Sequence, residues 1–454
     1  MLRFGTDGVR GDADRDLTSP LIDALARAVA RVLRPERVVI GRDTRESGPR
    51  IEAGLAGGLA AEGVEATLLG VLPTPAIAFA AAAAGVPAAI VSASHNRWSD
   101  NGVKVIGADG RKLPDAIEAA IEDAIEHELE QESAAAPARA GRPAALAPVA
   151  FDADPAAASA YAVHLLTTLG GHRLDALDIV LDCANGAAFA LGPRALRAAG
   201  ANVHVLHGAP DGRNINDACG STHPASLQRA VVERGAAIGL ALDGDGDRSI
   251  AVDERGDLVD GDQIMVMTAI DMHARGALRN DAIAVTVMSN LGLRRALRAH
   301  GIDVHETPVG DRHVVEAMRA HDLALGGEQS GHIVYSDYAT TGDGLLTGLR
   351  VADLLSRTGK PLSVLAAQMS RVPQVLVNVR VAHRVDVDSS AVLAEAVRAV
   401  EQELGETGRV LVRGSGTEPL VRVMIEADAQ SAADAAAARL CSVVTSEFGG
   451  DATT

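Results

Sequence analysis

Ile238-Gly239-Leu240-Ala241-Leu242-Asp243-Gly244-Asp245-Gly246-Asp247-Arg248 is the stretch that decides how this chain folds. Its five apolar residues read as a strand, and they run straight into a loop of alternating Asp and Gly. The same order recurs elsewhere: a short β-branched run, a Gly/Asp/Asn/Ser loop, then a helical stretch. Val38-Val39-Ile40 leads to Gly41-Arg42-Asp43-Thr44, and Ala89-Ile90-Val91 leads to the loop around Ser94. Ile179-Val180-Leu181 leads to Asp182-Cys183-Ala184-Asn185-Gly186, and Ile283–Val287 to Met288-Ser289-Asn290-Leu291-Gly292. Alternating strands and helices predict α/β layers with mixed sheets. Ligands in such folds gather at the carboxyl ends of the strands, where these loops fall.

The 454 residues exceed one ordinary core and suit roughly three or four domains. Residues 131–150 are rich in Ala, Pro and Arg without periodicity, which places a boundary near 148. A second belongs just after the aspartate loop, near 252, and a third between Thr358-Gly359-Lys360-Pro361 and Pro373. The expected domains are therefore 1–148, 149–252, 253–365 and 366–454. The last reads differently: a strand (Val375–Val381), a helix (Ser390–Leu404), two strands around Arg413–Thr417 and a helix from Ser431. That is a small α+β domain after three α/β ones.

Composition excludes several classes. A net charge of −18 would repel nucleic acid over most of the surface. An anionic small molecule can still bind where Arg and Lys reverse the local sign. Cys183, Cys219 and Cys441 form no CxxC and read as buried thiols of a reducing cytosol. The start has no apolar leader-like run, so secretion is not expected. The apolar run Ala76–Val91 is too short to span a membrane and is interrupted by Gly85 and Pro87. It reads as a helix, a turn and a strand of a soluble, cytoplasmic protein.

The chemistry starts with the aspartates. Residues i, i+2 and i+4 of an extended segment share a face, and the glycines let Asp243, Asp245 and Asp247 converge as hard oxygen ligands. Asp-Gly pairs also make plain acidic turns. A calcium loop is a further reading, with Glu254 as its last ligand. Arg248 stands where that loop needs glycine, and a strand precedes it where a helix belongs. Ser94, in Val91-Ser92-Ala93-Ser94-His95-Asn96, would by itself be a turn or capping residue. Beside a magnesium site it becomes a candidate phosphate carrier. Lys104, ten residues on and returned by the Asp100-Asn101-Gly102 turn, reads equally as a proton shuttle or a solvated strand lysine.

Two further loops suit a phosphosugar. Gly326-Gly327-Glu328-Gln329-Ser330-Gly331-His332 can hydrogen-bond vicinal hydroxyls, although a glycine-rich turn would look similar. Arg413-Gly414-Ser415-Gly416-Thr417-Glu418-Pro419 followed by Arg422 has the amides, hydroxyls and guanidiniums of a phosphate cradle. It lacks the Lys of a nucleotide-binding P-loop. Arg10, in the opening Arg3–Gly11 segment, is suited to a phosphate or to a surface pair with Asp7.

Together these loops resemble the α-D-phosphohexomutase superfamily, and within it the branch of bacterial phosphoglucosamine mutases. The resemblance is carried by FGTDGVRG, SASHN with DNGVK, DCANGA, DGDGDR, VTVMSNLGL, VGDR, GGEQSGH, TTGDGLLTGL and RGSGTEPLVRVM. The glucosamine branch is favoured by Gly-Glu-Gln-Ser-Gly-His, and by Asn214-Ile215-Asn216 with Cys219-Gly220-Ser221-Thr222-His223-Pro224. It implies three α/β domains with mixed sheets plus a C-terminal α+β (TBP-like) domain around a central cleft. It also implies a phosphoserine at Ser94 rather than Ser92, and one Mg²⁺ per subunit on Asp243, Asp245, Asp247 and that serine. Lys104 matches a general acid/base, and His95, Arg10 and Arg248 line the same centre. Glu328 and Ser330 match sugar contacts, and Arg413, Ser415, Gly416, Thr417 and Arg422 the cradle for the phosphate not being transferred.

The implied activity is reversible conversion of glucosamine 6-phosphate to glucosamine 1-phosphate, on the route to UDP-N-acetylglucosamine and cell wall. Glucosamine 1,6-bisphosphate or a related bisphosphate serves as activator. The expected partner is the phosphosugar, with no nucleic acid and no membrane, and a homodimer is the candidate assembly. A phosphoglucomutase/phosphomannomutase of the same fold is the alternative. A metal-dependent phosphatase and a sugar-phosphate sensor are the readings from other classes. This sequence departs from the family pattern at Arg97-Trp98, where proline and an aromatic are usual, at Pro308, where lysine is common, and at His313.

Overall fold

The computed structural model describes residues 8–135, 150–414, 419–450 and 452–453. The boundary expected near 148 and the segment before Gly8 lie outside the described residues. Four sheets organise the rest. The first contains β1 (Val9–Asp12), β2 (Arg37–Arg42), β3 (Glu65–Val71), β4 (Ala88–Val91) and β5 (Asp100–Ile106), in the order β1-β5-β4-β2-β3. β3, β2 and β4 are parallel, whereas β5 runs antiparallel to both β4 and β1. The helix Thr74–Ala84 stops at Gly85, whose φ of 65° takes the left-handed conformation glycine accepts without penalty. The strand resumes at Ala88, as the Gly85/Pro87 interruption predicts. Ile40, Val91 and Val103 pack against Ile22, Leu25, Ile51 and Leu55 of the covering helices, all of them buried.

The second sheet holds β6 (Asp178–Asp182), β7 (Asn202–Leu206), β8 (Ile238–Leu242), β9 (Ser249–Asp253) and β10 (Leu258–Val259), in the order β10-β9-β8-β6-β7. The third holds β11 (Ala282–Thr286), β12 (Asp303–Thr307), β13 (Leu325–Gly327) and β14 (Ile333–Tyr335), in the order β12-β11-β13-β14. Each is again three parallel strands extended by antiparallel pairing. The fourth differs, as the sequence predicts. β15 (Gln374–Arg380), β16 (Gly408–Gly414), β17 (Leu420–Ala427) and β18 (Ala452–Thr453) are all antiparallel, in the order β16-β17-β15-β18. The helices Ala391–Leu404 and Gln430–Phe448 supply Leu393, Val400 and Leu440 to its core beside Val379, Val421 and Val423.

The chain packs as two units: residues 1–288 with 302–368, and residues 289–301 with 369–454. The helix Leu291–Ala299, between β11 and β12 in sequence, thus groups with the fourth sheet. Glu426 of β17 explains why. Its fully buried carboxylate accepts hydrogen bonds from Leu291 N (3.2 Å) and Asn290 Nδ2 (2.9 Å) at that helix's N-terminus, and from Arg409 Nε (2.8 Å). A helix N-terminus favours an anion. Burial raises the Glu426 pKa, and Arg409 and the Leu291 amide only partly oppose the rise. Glu426→Ala should cost about 3–5 kcal/mol, because it removes the buried carboxylate that pairs with the largely buried Arg409 and accepts from Asn290 and Leu291. Urea unfolding followed by circular dichroism measures this, and an unshifted transition would refute it.

Candidate active site

The aspartate loop is the hairpin connection between β8 and β9, which pair Leu242 with Ser249. Gly246 adopts a φ of 70° and closes the turn through its N–H to Asp243 O at 3.1 Å. Asp243, Asp245 and Asp247 are all buried, and one ligand oxygen from each lies within 4.8 Å of the others. Strands rather than helices flank the loop. Glu254 turns instead to Ser363, accepting from its N–H at 3.2 Å and from its hydroxyl. The calcium-loop reading is therefore excluded.

Burial and the charges of Asp247 and Asp245 push the Asp243 pKa well up. Burial would also raise Asp245, but Lys104, the Thr74 hydroxyl and Arg10 outweigh it and hold that carboxyl low. Asp245 Oδ1 and Asp247 Oδ1 are buried with no hydrogen-bond partner among the described residues. Hard oxygen donors, unsatisfied and mutually repelling, fit a divalent cation such as Mg²⁺.

Ser94 meets this cluster. Its hydroxyl donates to Asp243 Oδ2 at 2.6 Å, and its backbone has a φ of 51°, a strained value for a residue other than glycine. The surroundings enforce that conformation. Ser92 Oγ accepts from Ser94 N at 2.8 Å and donates to Asp43 Oδ2 at 2.7 Å. Arg45, with no exposed surface, binds Asp43 and donates to the carbonyls of Ser94 and Asn96 at 2.9 Å each. Asn216 Nδ2 adds bonds to the same two carbonyls at 2.8 and 3.0 Å. The two loops also touch through backbone, because a Cβ on Gly244 would stand 2.6 Å from Ser94 O.

The other expected residues fall into place around this pair. Lys104, on β5, holds its Nζ 3.4 Å from Asp245 Oδ2 and 3.5 Å from Asp247 Oδ2, so it is not a solvated strand lysine. His95 Nδ1 lies 3.5 Å from Ser94 Oγ. Burial, Arg248 and Arg10 lower the His95 pKa, favouring the neutral imidazole. Arg10 stands on β1 opposite Gly102. Burial opposes the charge on Arg248, but Asp247, Asp243, Glu328 and Asp245 overcome it and raise the pKa.

The Glu328 loop is seated beside the aspartate hairpin through Ser249 N to Gly331 O at 3.0 Å. Ser330 Oγ donates to Glu328 Oε2 at 3.4 Å, and Gly310 N to Glu328 Oε1 at 3.3 Å. In the second unit Arg413 and Arg422 are direct cross-strand neighbours. Like charges so placed repel, and burial and Arg422 together lower the Arg413 pKa. Among the described residues the buried Arg422 Nε has no hydrogen-bond partner, as suits an anion site. Ser415, Gly416 and Thr417 lie outside the described residues.

Sequence reasoning assigned no role to Asp43, Arg45 or Thr74. Thr74 donates its hydroxyl to Asp245 Oδ2 at 2.7 Å and its N–H to Asp245 O at 2.8 Å. The only local signal was that Asp43 and Arg45 follow the end of β2, where a ligand-facing loop belongs. Asp182, His207 and Cys219 also converge. Asp182 is committed there to the amides of Ala184 and Gly220, at 2.9 and 3.0 Å, and staples its own loops.

Four phosphoglucomutase/phosphomannomutase family models match in order along the chain. Alpha/beta/alpha domains I, II and III match residues 1–132, 159–256 and 260–372, and the C-terminal domain matches residues 376–443. The phosphoglucosamine mutase of Frankia casuarinae is 51% identical over 459 residues, 97% of each chain. The chain belongs to the phosphoglucomutase/phosphomannomutase family. Two solved structures share the fold of this family member. A phosphoglucomutase/phosphomannomutase family protein from Burkholderia thailandensis has a TM-score of 0.79 and 24% identity, covering 99% of this chain and 98% of its own. The Aspergillus fumigatus N-acetylphosphoglucosamine mutase in complex with GlcNAc-6P and magnesium has a TM-score of 0.70 and 20% identity, covering 98% and 95%.

Asp247→Asn removes one charged ligand and should weaken Mg²⁺ binding by more than roughly tenfold while leaving the fold intact. Isothermal titration with Mg²⁺ checks this, and unchanged affinity would place the cation elsewhere.

Proposed function

We propose that the chain catalyses reversible conversion of glucosamine 6-phosphate to glucosamine 1-phosphate, with Ser94 as the phosphate carrier. The observation that supports it is the Ser94 hydroxyl held against Asp243 beside three buried, converging carboxylates. The choice of sugar rests on the half-identical relative, named a phosphoglucosamine mutase over nearly its whole length. The phosphoglucomutase/phosphomannomutase alternative has less support. The four domains 1–148, 149–252, 253–365 and 366–454 belong to the same reading. So do a bisphosphate activator, a homodimer, a cytoplasmic site of action and supply of cell-wall precursor.

In the forward half-reaction the P–O bond to Ser94 breaks as one forms to the free sugar hydroxyl. This gives the 1,6-bisphosphate, and the hydroxyl proton, relayed through Lys104, ends on the departing Ser94 Oγ. The bisphosphate turns end for end, its other phosphoryl group moves to Ser94 Oγ, and the remaining ester is the product. Asp243, Asp245 and Asp247 would hold Mg²⁺, which when bound offsets negative charge on the transferring group. Arg248, held cationic by its acidic neighbours, adds to that stabilisation. Neutral His95 accepts or donates a hydrogen bond at Ser94 Oγ. Glu328 and Ser330 hold sugar hydroxyls. Arg413 and Arg422, with Ser415, Gly416 and Thr417, grip whichever phosphate is not reacting.

Ser94→Ala should abolish turnover without unfolding the protein, and intact mass should show one phosphoryl group on the wild type only. Isomerisation of glucosamine, glucose and mannose 6-phosphates, with and without Mg²⁺, identifies the substrate. Preference for glucose or mannose would favour the alternative, and release of inorganic phosphate without a bisphosphate would indicate a phosphatase. Arg422→Ala should raise KM by more than roughly tenfold with a smaller change in kcat. An unchanged KM would remove Arg422 from the cradle.

A further inference from the structure

Trp98 is the chain's single tryptophan, and it stands four residues after Ser94, in the loop joining β4 to β5. That loop carries an inherently strained backbone at Ser94, so its position depends on whatever holds it from outside. Arg45 holds its inner side. The outer side is held by the segment Gly212–Asn216. Asn216 binds the carbonyls of Ser94 and Asn96, and the Arg213 guanidinium lies over the half-buried Trp98 ring, 5.1 Å from its centroid. Arg213 is itself aimed by Glu46, through Nε to Oε2 at 2.6 Å. The Glu46 backbone is tied to the same segment, N–H to Gly212 O at 2.9 Å, and a Cβ on Gly212 would press within 3.0 Å of Glu46 Cβ.

Neither contact is a strong source of stability. Arg213 is 65% exposed, and an exposed ion pair contributes little. What the arrangement provides is direction. It fixes one aromatic ring at the outer end of a loop whose inner end presents Ser94. The neighbouring Arg97 does not do this, because its side chain is 75% exposed and faces Asp100 at 3.5 Å.

We infer that Glu46, Arg213 and Trp98 form a clip of positioning residues that holds the Ser94 loop in its reactive placement. This rests on Ser94 being the phosphate carrier. The clip acts at a distance from the reacting atoms, so it sets how often Ser94 is correctly placed rather than how tightly the phosphosugar binds. Losing it lowers kcat and leaves KM nearly unchanged. Arg213→Lys keeps a cation over the ring and retains most of the effect. Arg213→Ala and Glu46→Gln do not.

Trp98 supplies a readout independent of activity. In the full-length protein, Arg213→Ala should lower the steady-state anisotropy of Trp98 emission and raise its quenching by acrylamide about twofold or more. It should also cut kcat for glucosamine 6-phosphate by roughly tenfold at unchanged Tm, with Arg213→Lys restoring most of both. Anisotropy and quenching equal to wild type in Arg213→Ala would overturn the clip, as would a kcat loss matched by an equal fall in folded protein. If the wild type turns over no hexose phosphate, the functional reading fails. The anisotropy comparison then still decides whether the clip holds the loop.

Discussion

Three carboxylates buried on one short hairpin repel one another, and much of the first unit is arranged to tolerate them. Asp243 relieves part of the repulsion by accepting from the Arg248 N–H, Asp245 by facing Lys104 and Thr74, and Asp247 by facing Lys104 and Arg248. Ser94 enters the same network as a donor to Asp243. A cluster that lacks enough protein donors to satisfy its own oxygens invites a divalent cation. In the proposed reaction, Ser94 beside it is where that cation would assist phosphoryl transfer. The strained serine, the buried Arg45 and the close approach of Gly244 all go with holding the Ser94 hydroxyl against such a cluster.

The second unit carries the opposite electrostatic burden. Arg413 and Arg422 stand side by side on β16 and β17 and repel each other. Glu426, four residues beyond Arg422, serves structure instead. It ties Arg409 and the N-terminus of the helix Leu291–Ala299 to the sheet.

Much of this was legible in the sequence because it is local. The strand-to-loop transitions at Val91 and Leu242 each needed only a short apolar run and a polar turn, whereas β2 runs on through Gly41 and Arg42 and β6 through Asp182. The change to an antiparallel layer after residue 373 showed in the spacing of Val375–Val381 and the strands flanking residue 415. Motif resemblance carried Ser94, Lys104 and the three aspartates, and the geometry brings those five together. That Lys104 is not a solvated strand lysine was not legible locally, and its distances to Asp245 and Asp247 show it.

The sequence by itself determined the layer types and the place of the polar loops at strand ends. These depend on residue identity at short spacing. Tertiary structure alone decided which side chains enforce the site. Asp43 and Arg45 reach Ser92 and Ser94 across roughly fifty residues, Asn216 across 122 and Thr74 reaches Asp245 across 171. It also decided that the helix after β11 packs with the fourth sheet, because the carboxylate that anchors it lies 135 residues away. Such partners leave no periodicity in the chain. They are chosen by which buried donors and acceptors would otherwise go unpaired.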